Sequence, residues 1–132
     1  MRRSILVIAL LAAVSGCANL QSGHGGPAQT GLQPLNVGWE RDLAVTWESG
    51  QQRGSQVVSG YVHNTSPYDL ANARVLVEAL DAGGQVIEQR VGYLPGELRG
   101  GGRLYFEMPI AQAPTYRVRV FSYDRMEAGL MS

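Results

Sequence analysis

The sequence predicts an all-β protein: an antiparallel β-sandwich of six to seven strands, set behind an N-terminal export leader and a flexible linker. Three observations point there. Short runs of apolar residues alternating with polar ones recur at roughly even spacing from Trp39 to Met126. Clusters of Gly, Pro, Asn and Asp separate them, each able to supply turn geometry. The longest apolar stretch, Ile5 to Val14, stands alone at the N terminus behind Arg2 and Arg3, as in a secretory leader.

Taken in order, residues 1–16 form the expected signal peptide. Ten helical residues span about 15 Å, half of a bilayer core of about 30 Å, so the stretch is too short to cross a membrane. It ends in Val14-Ser15-Gly16-Cys17, which resembles the lipobox of bacterial lipoproteins. That resemblance implies cleavage before Cys17, a diacylglycerol thioether on Cys17 and acylation of the new N terminus. One acyl chain anchors marginally and two or three hold firmly, at about 0.8 kcal/mol per buried methylene. Ala18 stands where an Asp would retain such a protein in the inner membrane, so the resemblance implies the outer membrane, with the domain facing the periplasm. Residues 17–38, rich in Gly, Pro, Gln, Ser and Asn, read as the lipidated cysteine and a flexible linker reaching about 25 Å.

The domain is expected over 39–126, with a C-terminal tail at 127–132. Its predicted strands are Leu43 to Glu48, Gln56 to Asn64, Ala73 to Asp81, Gln85 to Tyr93, Arg103 to Met108 and Tyr116 to Tyr123. Ala, Leu and Glu in the third would also suit a helix, but Val75 and Val77 between turn residues favour a strand. Asp81-Ala82-Gly83-Gly84 suits a hairpin turn. Pro67 and Pro114 interrupt where a ladder needs N–H donors. A period of two places Val58 and Val62 on one face with Gly60, and Val57 and Tyr61 on the other. It sets Val75, Val77 and Ala79 inward, with Leu104, Phe106, Met108, Tyr116, Val118 and Val120, and points Arg117 and Arg119 to solvent.

The stretch Ser59–Tyr123 resembles the FxLYD-type domain of exported bacterial proteins. The matching residues are Gly60 to Ser66, Ala73-Arg74-Val75 leading to Val77–Asp81, Gly83 to Ile87, Gly92 to Gly96 and Tyr116 to Phe121. Val77, Ala79 and Leu80 stand where the family's namesake Phe, Leu and Tyr would be. The resemblance implies an immunoglobulin-like sandwich and carries no enzymatic role. Asn64 and Asp81 are expected to turn their side chains onto nearby backbone.

Composition narrows the chemistry. All 11 basic residues are arginine, and loss of Arg2 and Arg3 with the leader leaves a net charge near −2, without the basic stripe that nucleic acid requires. One cysteine and two histidines offer no intramolecular disulfide and argue against a zinc site. The glycine clusters precede strands, not helices, so no phosphate loop is expected. No cofactor is called for. An enzyme would rest on His63 with Ser66 or Asp69; the reading preferred is non-enzymatic. The candidate binding surface is Tyr61, Tyr93, Arg99, Arg103 and Tyr105, the arginines lying in or beside the glycine-rich loop Pro95 to Gly102. The expected role is a protein-interaction or assembly module of the cell envelope; the alternative is a small-ligand or glycan binder.

Overall fold

The computed structural model describes residues 31–127; the expectations for the leader, Cys17, the first part of the linker and residues 128–132 lie outside the described residues. Six strands are present: β1 (Leu43–Gln52), β2 (Ser55–Asn64), β3 (Leu70–Leu80), β4 (Val86–Leu98), β5 (Arg103–Pro109) and β6 (Thr115–Arg125). They form two antiparallel three-stranded sheets, ordered β1-β2-β5 and β4-β3-β6. The sheets share one core containing Val58, Val62, Phe106 and Met108 from the first and Val75, Val77, Leu94 and Val120 from the second.

Parity of the apolar residues assigns these faces, as the alternation predicts. Val75, Val77, Ala79, Val58, Val62 and Val120 are all fully buried. The strands themselves run longer than their apolar patterns. β1 continues through Gly50-Gln51-Gln52 and pairs residue for residue with β2 up to Gln52 opposite Ser55. Arg53 and Gly54 alone make the turn, both at positive φ (52° and 79°), the geometry whose twist matches a two-residue hairpin. β4 runs to Leu98, so half of the predicted loop 95–102 is strand. Leu94 and Leu98 there are buried in the core, and Pro95 is tolerated because β4 is an edge.

Gly60 is dictated by close approach. A Cβ at this position would run into the backbone of Thr46 and Trp47 on β1, so only glycine lets the two strands meet at that point.

The end of the predicted linker is not free. Leu32 donates its N–H to Gln89 Oε1 (3.0 Å) and accepts from Gln89 Nε2 (3.0 Å). Leu35 N–H donates to the Phe121 carbonyl (2.7 Å), and Tyr123 N–H donates to Asn36 Oδ1 (3.1 Å). Residues 32–36 thus form a strap running from β4 to the edge of β6, over the outer face of the β4-β3-β6 sheet. Leu76 and Phe121, which lie on that outer face, are buried. The domain therefore begins at the strap, before Trp39.

Under the strap lies Glu78, fully buried on β3. Arg117 reaches it through Nε (2.7 Å) and Nη2 (3.0 Å), Arg119 through Nη2 (2.9 Å) and Nε (3.2 Å), and Gln89 through Nε2 (2.8 Å). Arg117 and Arg119 do face away from the core, but they are not free in solvent as their alternation predicts; both are turned onto Glu78. Burial by itself raises the carboxyl pKa. The hydrogen bonds from Arg117 and Gln89 and the charges of both arginines outweigh it, leaving Glu78 below its ordinary value of 4.5.

Candidate functional site

The outer face of the β1-β2-β5 sheet carries the exposed aromatic cluster. On β2, Ser59, Tyr61 and His63 alternate with the buried Val58 and Val62, so they point outward. Register does the rest. Tyr61 stands opposite Thr46 on β1 and Tyr105 on β5, and His63 stands opposite Arg103. The Tyr61 and Tyr105 rings meet edge to face, with centroids 5.4 Å apart, and the Arg103 guanidinium lies 4.1 Å from the Tyr61 ring centre. Such contacts are worth roughly 0.5–1 kcal/mol each at an exposed site. Here they hold three side chains in one geometry, which lowers the ordering cost of binding.

Thr46 and His63 complete the group. Thr46 Oγ1 lies 3.0 Å from His63 Nε2, and the His63 ring sits 6.1 Å from that of Tyr61. Beside the tyrosines runs an open groove of about 380 Å³, lined by Thr46, Trp47, Glu48, Ser59, Gly60, Tyr61 and Tyr105. Tyr105 is half exposed, and Trp47 is 38% exposed. The groove is open and shallow, with the Tyr61 and Tyr105 rings beside it, and suits an extended ligand or a protein surface more than an engulfed small molecule.

Of the predicted surface, Tyr61, Arg103 and Tyr105 come together. Tyr93 and Arg99 do not. Tyr93 stands opposite Arg74 on the outer face of the other sheet, its hydroxyl 3.4 Å from Asn72 Oδ1. Arg99 sits in the turn after β4 and pairs only with Glu97, at 3.6 Å. Side-chain chemistry alone groups these two with the others; strand pairing sends them elsewhere. Thr46 and His63 are members of the surface that sequence reasoning missed. His63 shares the parity of Tyr61 and was legible on that ground, whereas Thr46 needed the β1–β2 register.

The partners considered for His63 are engaged elsewhere. Ser66 is buried, donating its hydroxyl to Asn64 Oδ1 (2.7 Å). Asp69 accepts the Gly100 N–H (3.0 Å). Asn64 itself is buried at the end of β2. Its amide donates to the carbonyls of Tyr68 (2.6 Å) and Leu98 (2.8 Å), and its oxygen also accepts from Ser66 N–H (2.9 Å). This side chain closes the β2–β3 turn and ties it to the end of β4, as the Asn-before-turn expectation required. Asp81 does the same at its hairpin, accepting from the N–H groups of Gly83 and Gln85 (2.9 and 2.8 Å).

One tyrosine behaves differently from the surface group. Tyr123 donates its hydroxyl to Asp42 Oδ2 (2.9 Å), and burial, then that bond and the Asp42 charge, push its pKa up to about 12. A phenol raised in the fold above its ordinary 10.0 stabilises fully below pH 10 and loses that contribution as pH climbs through about 12. Ultraviolet phenolate titration is expected to show one tyrosine ionising near pH 12, and Asp42→Asn is expected to lower that midpoint.

Among the described residues, no group of three or more His, Cys, Asp or Glu is placed to hold a metal ion, and no helix is long and apolar enough to cross a membrane. The chain matches no protein-family model, no curated protein and no solved structure.

Proposed function

We propose that this chain is a lipid-anchored module of the bacterial cell envelope. In this reading Cys17 carries the lipid and holds the domain at the outer membrane, facing the periplasm. There the domain takes a protein partner on the outer face of its β1-β2-β5 sheet, without catalysing a reaction. The observation that carries the reading is the grouping of Tyr61, Tyr105 and Arg103 on one rigid, exposed sheet face. Tyrosine and arginine are the residue types that dominate binding energy when their partners seal them from water. The lipobox-like Val14–Cys17 supports the anchor. The motif order from Gly60 to Phe121 supports an immunoglobulin-like sandwich of the FxLYD type.

A second reading has its own observation. Two tyrosines beside an open groove also suit a glycan, which stacks on aromatic faces. Affinity recovery from cells separates the two. With tagged wild-type protein, one envelope protein is expected in stoichiometric amount. Tyr61→Ala with Arg103→Ala is expected to reduce it about thirty-fold, the loss that two hot-spot side chains of roughly 1 kcal/mol or more each would give. Incorporation of a clickable fatty acid into the wild type but not into Cys17→Ala tests the anchor. Recovery of no protein, or a bound protein indifferent to the double substitution, would contradict the partner reading.

A further inference from the structure

We infer that the free edge of β1 pairs with β1 of a second copy, joining two β1-β2-β5 sheets into one six-stranded sheet about a two-fold axis at Thr46. This interaction goes beyond the partner reading above and uses the strand edge rather than the aromatic cluster, with Thr46 common to both.

Four strands are edges: β1, β5, β4 and β6. Unprotected edges invite another strand, and proteins blunt them with short strands, prolines, bulges, charge or cover. β6 is capped by the strap through the Leu35–Phe121 bond. β4 carries Pro95, and register shifts interrupt its pairing with β3. β5 spans only Arg103–Pro109 and ends on proline. β1 has none of these devices. Its ten residues pair with β2 without a register shift, and Leu43–Ser49 contains no proline and one charge, Glu48. Among the described residues, no backbone hydrogen bond outside the ladder to β2 involves β1.

Backbone polarity then restricts the register. The two-residue turn closes on Gln52 opposite Ser55, a hydrogen-bonded pair. Counting back, even-numbered residues of β1 direct their N–H and C=O groups to β2. The odd-numbered Leu43, Val45, Trp47 and Ser49 direct theirs outward. A second β1 laid antiparallel must therefore match odd residues with odd.

Side chains choose among the registers that remain. Centring on Glu48 sets two carboxylates directly opposite, which is unfavourable. Centring on Trp47 leaves them diagonal, about 7–8 Å apart. Centring on Thr46 moves them four residues apart along the ladder, about 14 Å, with each Glu48 facing Ala44 of the other copy. It also sets Trp47 against Val45 of the other copy, an aromatic–β-branched pair of the favourable kind, and Thr46 against Thr46. Leu43 meets Ser49 at both ends, so seven residues overlap and about eight main-chain hydrogen bonds form. Trp47, 38% exposed in the single domain, gains a neighbour.

The test uses the full-length chain in detergent, by light scattering across concentration. The wild type is expected to reach the mass of two chains. Thr46→Glu, at an exposed position, is expected to weaken association about ten-fold or more by setting like charges across the axis, with an unchanged circular-dichroism spectrum. Oxidation of the Thr46→Cys variant is expected to give a disulfide-linked dimer, and Tyr105→Cys on β5 is expected not to. A wild type that stays at the mass of one chain would overturn the inference. So would a dimer insensitive to Thr46→Glu. Failure of the purified Thr46→Cys variant to give the disulfide-linked dimer would overturn it too.

Discussion

Asn64→Ala is expected to cost about 3 kcal/mol of folding stability. The side chain is buried and fully engaged, donating to Tyr68 and Leu98 carbonyls and accepting from both the N–H and the hydroxyl of Ser66. Alanine leaves those four groups without their partner in a place that water reaches poorly, and each unsatisfied buried group costs about 1–3 kcal/mol. Relaxation of the turn recovers part of it, hence a total near the value of one or two groups rather than four. For a domain of this size the midpoint of thermal unfolding falls by roughly 15 °C. Asn64→Asp sets a buried, acceptor-only carboxylate against the Tyr68 and Leu98 carbonyls, so it is expected to destabilise at least as much as alanine. Unfolding followed by Trp39 and Trp47 fluorescence measures the series. A midpoint for Asn64→Ala within about 2 °C of wild type, or about 0.5 kcal/mol, would show that Asn64 does not hold the turn.

Glu78→Gln is expected to cost a comparable amount, about 3 kcal/mol, for a different reason. Removing one member of a buried ion pair strands the others, typically at about 3–5 kcal/mol. The low end applies because the Arg117 side chain is 44% exposed and that of Arg119 is 22% exposed, so both can recover some hydration. The loss spreads to the strap, since Gln89 bridges Glu78 and Leu32. Hydrogen exchange at the Leu32 and Leu35 amides is expected to speed up in Glu78→Gln while amides in the β1–β2 ladder change less. The pH dependence has a definite sign. A carboxyl held below its ordinary 4.5 in the fold stabilises above that value, and the contribution disappears as pH falls through the lowered folded value. Wild-type stability therefore drops below about pH 4.5, and Glu78→Gln lacks that share of the drop. An acid transition identical in both proteins would mean that Glu78 is not the group being protonated.

Much of the fold was legible in the residues because burial obeys a period of two. Val58 and Val62, Val75 with Val77 and Ala79, and Val118 with Val120 each announce a strand and its inner face, and turn residues mark where most strands begin. Legibility ended where pairing is carried by backbone rather than by apolar side chains. Nothing in Gly50-Gln51-Gln52 signals a strand, yet a two-residue turn at Arg53-Gly54 keeps both arms in register. Pro95 and Gly96 read as loop, yet they ride on an edge between the buried Leu94 and Leu98. The strap is the clearest case. Leu32, Pro34 and Asn36 alternate toward the sheet in a stretch whose Gly, Pro and Gln content reads as tether, and its contacts come from Gln89, 57 residues away.

The candidate surface divides along the same line. Tyr61 was placed outward by parity, but that Arg103 and Tyr105 would join it and that Tyr93 and Arg99 would not depends on which strands pair and in what register. Charge pattern misled for Arg117 and Arg119 because alternation gives the face and not what covers it. Glu78, at the same parity, is their partner, and the strap converts an outer face into an interior.

The most direct test of the central claim, that the β1-β2-β5 face is where this protein meets its partner, is photo-crosslinking in cells from single positions. A photoreactive phenylalanine at Tyr105 lies in the aromatic cluster; one at Tyr93, equally exposed, lies on the opposite side of the sandwich. A discrete crosslinked protein is expected from position 105 and none of comparable yield from position 93. Equal crosslinking from both, or crosslinking from 93 alone, would contradict it.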